Sequence, residues 1–122
     1  MTTLRDALAD LLENHGLPVD EAADRHIAPG FRQRTNGQWD DRTGFLSRIR
    51  YLRSRTREVT ITVLDEITDG SRYAERHIID LLGGDGRRTV YEVYVFASLG
   101  PDGRFERIEE ATVMVGPAVA PV

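Results

Sequence analysis

The chain has no cysteine, which excludes a disulfide framework, a thiolate metal site and a thiol nucleophile. It has no lysine either: all 16 basic residues are arginine, which reads as the codon bias of a GC-rich genome rather than as chemistry. No apolar run approaches the roughly 20 residues that span a bilayer, so no membrane association is expected. The first residues, Met1-Thr2-Thr3-Leu4-Arg5-Asp6, lack the basic and apolar regions of a secretory signal, and a cytoplasmic protein is the expectation. A formal charge of −4 argues against generic nucleic-acid binding, because phosphate contacts need a basic surface. Arg48, Arg50, Arg53, Arg55 and Arg57 make one basic run, which reads as a solvated helix end entering an exposed strand.

What is present is enough for a single domain, residues 1–122. Leu4, Ala7, Leu8, Leu11 and Leu12 form one apolar helical stripe, capped by Thr3 and stopped by Gly16 and Pro18. Asp20 suits the cap of a second short helix through Ile27, ended by Pro29-Gly30. Residues 31–39 read as a loop with unusually large side chains. Asp40 or Asp41 then caps a third helix with Phe45, Leu46, Ile49 and Leu52 facing inward.

From Glu58 the period changes to two. Asp69-Gly70, Asp85-Gly86 and Asp102-Gly103 are hairpin-turn signals, because glycine supplies the positive φ that tight turns demand. Between them lie four long strands, roughly 58–67, 72–82, 88–99 and 104–115, rich in Val, Ile, Tyr and Thr. The expected fold class is α+β: a curved antiparallel four-stranded meander with three N-terminal helices. The tail, 116–122, is expected to be loose.

Three stretches resemble the nuclear transport factor 2-like superfamily, SnoaL-like branch. Ala28-Pro29-Gly30-Phe31-Arg32-Gln33-Arg34 is similar to the segment after the family's second helix. Tyr73-Ala74-Glu75-Arg76-His77 is similar to one central strand, and Asp102-Gly103-Arg104-Phe105-Glu106-Arg107-Ile108-Glu109-Glu110 to the last hairpin. The likeness runs over about residues 4–115. It implies a cone whose curved sheet and helices enclose a pocket, with the opposite sheet face often forming a dimer. It also implies an acid on the last strand, a position that aligns with Val113. A second family acid falls at Thr35 or Asn36, so no known catalytic set of the superfamily carries over intact.

With a two-residue loop at each Asp-Gly, His77 pairs with Tyr94 and Thr62, and Tyr94 with Ala111. One face then carries Tyr73, Glu75, His77, Ile79, Glu92, Tyr94, Phe96, Glu109 and Val113. The other carries Val59, Ile61, Val63, Arg76, Ile78, Val93, Val95, Ile108, Glu110 and Met114, with Arg76 and Glu110 placed to pair across Val95. A longer turn at Gly83-Gly84-Asp85-Gly86 would exchange some of these, because a slip of one residue flips every side chain. Whether His77 or Arg76 faces the pocket depends on that turn.

The mixed aromatic and titratable face has the makeup of a ligand site. His77 is the candidate for proton transfer, oriented by Glu92 or Glu75; the alternative is a hydrogen-bonded histidine in a polar patch. Glu109 is a candidate base, or else a salt-bridge partner of Arg107 or Arg34. Tyr73, Tyr94, Phe96, Trp39 and Phe31 could stack on a flat ligand or belong to the core, with Arg34 and Glu75 beside them. His15 and His26 read as capping or surface residues. No metal or cofactor is expected.

The expected partners are a small hydrophobic or polar-aromatic ligand and a second copy of the chain. The expected function is a small-molecule pocket, acting as an acid–base enzyme of isomerase, cyclase, dehydratase or hydrolase type. The alternative is a non-catalytic ligand-binding or dimerisation module. The homodimer is expected through Val59, Ile61, Val63, Val93, Val95, Ile108 and Met114.

Overall fold

The structure, a computed structural model, describes residues 2–116. The first helix, α1 (Leu4–Leu8), starts where the Thr3 hydroxyl accepts the Asp6 N–H at 3.1 Å. It does not continue as an α-helix to Gly16: Ala9–Glu13 is a π-helical turn. The second helix, α2 (Val19–His26), begins after Pro18, two residues earlier than an Asp20 cap would place it. The third, α3 (Arg42–Arg55), is capped by Asp41, whose carboxylate accepts the Gly44 N–H at 2.8 Å. It buries Phe45, Leu46 and Ile49 on one face.

The segment expected to be a loop is instead a hairpin of β1 (Ile27–Thr35) and β2 (Gln38–Asp41). Asn36-Gly37 makes its turn, both residues with positive φ (50° and 88°), and Thr35 pairs with Gln38 across it. That is the backbone a two-residue hairpin turn requires, and Asn-Gly is a strong signal for it. The signal is easily overlooked here because the flanking strand reads Phe-Arg-Gln-Arg-Thr, with little apolar alternation.

The long strands are β3 (Thr56–Asp69), β4 (Arg72–Gly83), β5 (Arg88–Leu99) and β6 (Phe105–Gly116). They form the expected meander, within a six-stranded curved sheet of order β2-β1-β6-β5-β4-β3. The sheet is mixed rather than antiparallel, because β1 runs parallel to β6, with Thr35 opposite Glu110. Gly116 is the last residue of β6; the rest of the tail, 117–122, lies outside the described residues.

Register decides which side chains face the helices. The β5–β6 pairing is as expected, with Tyr94 opposite Ala111. The β4–β5 turn is longer than two residues: Leu82 pairs with Arg88, and His77 lies opposite Val93 rather than Tyr94. On the other side His77 lies opposite Val63 rather than Thr62, with Leu64 bulged out of the ladder. The slip turns β4 over relative to β5 and β6. Tyr73, Glu75 and His77 therefore share a face with Val59, Ile61, Val93, Val95 and Ile108, and the three helices pack on that face. Glu92, Tyr94, Phe96, Glu109 and Val113 are on the opposite face, where Phe96 is 74% exposed. The apolar set expected to form a dimer contact is thus largely the interior of the domain. Of that set Met114 is 63% exposed.

Candidate functional site

The helices do not fill the concavity of the sheet. A cavity of about 320 Å³ remains, within the size range of ligand pockets. Its wall is mostly apolar, with Leu8, Leu11, Leu12, Leu52, Ile79, Leu81 and Val93 among its residues. Six polar or charged side chains interrupt that wall: Gln33, Thr35, Arg48, His77, Glu110 and Thr112.

Two cross-strand rows place the reactive groups. In one, Glu75, Val95 and Glu110 are successive partners on β4, β5 and β6; in the next, His77, Val93 and Thr112 are. Strands lie about 4.8 Å apart, so the backbones carrying Glu75 and Glu110 are on the order of 10 Å apart, with a valine between them. Two carboxyl groups therefore flank Val95, where the expected arrangement had Arg76 opposite Glu110. Arg76 is on the outer face, bonded to Asp65 at 2.8 Å and Glu92 at 3.1 Å.

On β4, alternation brings Tyr73, Glu75 and His77 to the inner face one after another, and they bond in series. The Tyr73 hydroxyl donates to Glu75 Oε2 at 3.1 Å, and His77 Nδ1 bonds the other carboxylate oxygen of Glu75. His77 is 2% exposed and Glu75 5%. Burial, followed by the charge of Glu75, raises the Tyr73 hydroxyl well above its ordinary pKa, so it stays a donor. With Nδ1 committed to the carboxylate, Nε2 is the imidazole nitrogen left for a ligand.

Glu110 faces the same cavity from β6. Desolvation raises its pKa, and the negative charge of Glu75 adds to the rise; His77, Arg48 and a hydrogen bond from Thr35 oppose it. Arg48 is held by Asp40 at 2.9 Å, and the Gln33 amide donates to Thr35 Oγ1 at 3.1 Å. Among the described residues no three of His, Asp and Glu group as metal ligands would.

The remaining expected site residues are elsewhere. Phe31 is buried in the core, its ring 5.0 Å from that of Phe45. Trp39 sits on the edge strand, half-exposed under the Arg32 guanidinium at 4.8 Å. Glu109 is bridged by Arg34 and Arg107, each at 3.7 Å, on the outer face. Tyr94 bonds Glu92 at 2.9 Å, also outside. Glu92 therefore cannot orient His77; Glu75 does. His26 is not a surface residue: it is buried and bonds Asp10 at 2.6 Å. Arg53 leaves the basic run to grip the carbonyls of Leu11, Leu17 and Asp10 at 2.6–2.7 Å.

Glu110, Arg48, Gln33 and Thr35 were not recognised from sequence as site residues. Glu110 was legible in principle. Gly83-Gly84-Asp85-Gly86 holds three glycines in four residues, more than a two-residue loop uses, and the longer turn puts Glu110 on the His77 face.

No family model matches the chain, and no curated protein matches it. Solved structures do. An NTF2-like protein of unknown function from Exiguobacterium sp. 255-15 superposes with a TM-score of 0.70 at 17% identity, covering 92% of this chain and 98% of its own. IdmH from Streptomyces antibioticus, described as a candidate polyketide cyclase, gives 0.66 at 21% identity, with 93% of each chain covered. A candidate isomerase of the SnoaL-like family from Agrobacterium tumefaciens gives 0.63 at 16% identity, with 90% and 93% covered. The chain has the nuclear transport factor 2-like fold, in the form that SnoaL-like proteins share.

Proposed function

We propose that the protein is an acid–base enzyme acting on a small hydrophobic substrate inside the cone, in the manner of an isomerase or cyclase. The observation that carries this reading is the imidazole of His77 on the cavity wall, its Nδ1 bound by buried Glu75 and Glu110 facing the same space. A carboxylate on Nδ1 holds the tautomer that leaves Nε2 as an acceptor, the state a general base needs. The second acid of the site is Glu110 rather than Glu92 or Glu109.

The chemistry this arrangement suits is proton transfer next to a carbonyl. His77 Nε2 takes the proton from carbon, and the electron pair moves to the carbonyl oxygen. The Glu110 carboxyl, whose proton affinity burial raises, donates a hydrogen bond to that oxygen in its protonated form. Return of the proton at another carbon completes an isomerisation; attack of the enolate carbon on a second carbonyl closes a ring. Three of these polar groups already have partners: Gln33 bonds Thr35 within the wall, and Arg48 bonds Asp40 outside it. That favours a rival reading, a non-catalytic ligand carrier.

A probe ketone separates the two. In D2O, 1-tetralone should exchange its α-protons faster with the protein than with buffer, and His77→Phe should abolish the gain. Binding of the ketone without accelerated exchange would reject catalysis and leave the carrier. The second copy of the chain, if bound, would meet the outer face at Tyr94, Phe96 and Val113, all exposed.

A further inference from the structure

The cavity wall changes character along the strands, with His77 at the boundary. Beyond His77, β4 contributes only Ile79, opposite Tyr91, and Leu81. Four residues of strand put Leu81 about 13 Å from His77. In the other direction lie the polar groups of the wall. Glu110 is in the Glu75 row, Thr35 is opposite Glu110, and Gln33 is opposite Ile108 at the β1–β6 junction.

Arg48 belongs to this polar end. Its Nη2 bonds Asp40 Oδ2 at 2.9 Å, and Asp40 is the β2 partner of Gln33. From Arg48, α3 runs on to Thr56, which pairs with Gly83 at the Leu81 end of β4. Leu52, one turn after Arg48 and also on the wall, therefore lies toward the apolar end.

The charges of the wall are few. Among the described residues, Arg48 is its one guanidinium and Glu110 its one carboxyl; neither Asp40 nor Glu75 lines the cavity. A guanidinium stays charged at any ordinary pH, whereas burial favours the neutral form of Glu110. Asp40 takes one of the three guanidinium nitrogens, and among the described residues no ion pair or side-chain hydrogen bond commits Nε or Nη1. Such a wall is complementary to a molecule that is apolar at one end and anionic at the other.

We propose that Arg48 is a specificity-determining residue and that the ligand is a hydrophobic keto acid. Its carboxylate accepts hydrogen bonds from Arg48, its apolar body lies among Leu52, Ile79 and Leu81, and its ketone is next to His77. That the keto acid is a substrate rests on the acid–base reading; that it binds does not.

The test compares the Kd of 1-tetralone-3-carboxylate with that of its carboxamide, the same shape without the charge, by titration calorimetry. Wild type should bind the acid about tenfold more tightly, the worth of a charge-assisted hydrogen bond to a guanidinium that is partly solvated. Arg48→Gln should bring the ratio to one or below, and Arg48→Lys, which keeps the charge, should retain part of it. Arg50→Gln removes a charge from the same helix outside the cavity, where Arg50 bonds Asp20 at 2.6 Å, and should leave the ratio as in wild type. A ratio near one in wild type, an undiminished ratio in Arg48→Gln, an equal fall in Arg50→Gln or no binding of either compound would overturn the proposal. Preference for the acid without accelerated α-exchange would keep the ligand class and reject catalysis. Accelerated exchange of 1-tetralone without that preference would do the reverse.

Discussion

Glu75 and Glu110 stand in one cross-strand row, on either side of Val95, and both face the interior of the cone. Their separation by one strand lets them differ. Glu75 is bonded by Tyr73 and His77, whereas Glu110 carries the desolvation that raises its pKa.

That difference sets a pH dependence. A carboxyl whose pKa is raised in the folded state binds its proton more tightly there than in the unfolded chain. Its stabilising contribution is complete below the ordinary value of 4.5 and is lost as pH rises through the raised value. Glu110→Gln keeps the neutral form at all pH. The variant should melt higher than wild type at pH 8, and the difference should vanish near pH 4. Thermal melts at both pH values check this; a constant difference would mean that folding leaves the Glu110 pKa unchanged, and a variant melting lower than wild type at pH 8 only would mean an ionised, paired carboxylate.

The proton-transfer roles predict an order of losses. His77→Phe should lower the α-exchange rate of 1-tetralone by at least about 10²-fold, the usual contribution of a positioned base. Glu75→Gln should lose less, because the ring remains while its tautomer is no longer held. Glu92→Gln should leave the rate unchanged, since Glu92 is on the other face. Rates followed by proton NMR decide the order.

Adjacent residues on β5 should respond in opposite ways to the same charge. Val95→Glu puts an unpaired carboxylate in the core, where Val95 is 2% exposed, and should cost more than about 3 kcal/mol or prevent folding. Phe96→Glu changes an exposed side chain and should alter monomer stability by less than about 0.5 kcal/mol. If two copies meet through the outer face, Phe96→Glu should also halve the mass measured by light scattering. A monomeric wild type at micromolar concentration would remove that interface.

Arg53 should matter more than its place in a basic run suggests. Arg53→Met removes the donors for three carbonyls around the π-helical turn. A loss of about 3 kcal/mol in urea unfolding is expected, from carbonyls left without partners.

Much of the fold was legible because its signals are local. The leucine stripe, the Asp41 cap and the Asp-Gly turns act over four to eight residues, and the helices and four long strands follow from them. The β1–β2 hairpin was legible too, in Asn36-Gly37, but Gln33 and Arg34 carry no apolar alternation that would mark a strand. The π-helical turn has no such signal, since Leu8, Leu11 and Leu12 fit an ordinary helix equally well.

The site was harder to read because it depends on parity across strands. Sequence alone placed Tyr73, Glu75 and His77 on one side of β4, since alternation along a strand is a property of the backbone. It also placed Val93 and Val95 together on β5, and Ile108 with Glu110 on β6. Which of these sets face one another was decided by the turn at residues 83–87 and the bulge at Leu64, where one residue more or less inverts a whole strand. Tertiary structure therefore chose Glu75 and Glu110, rather than Glu92 and Glu109, as the acids beside His77. The helices settle on the face that buries the most apolar surface, and that face carries Val93 and Val95.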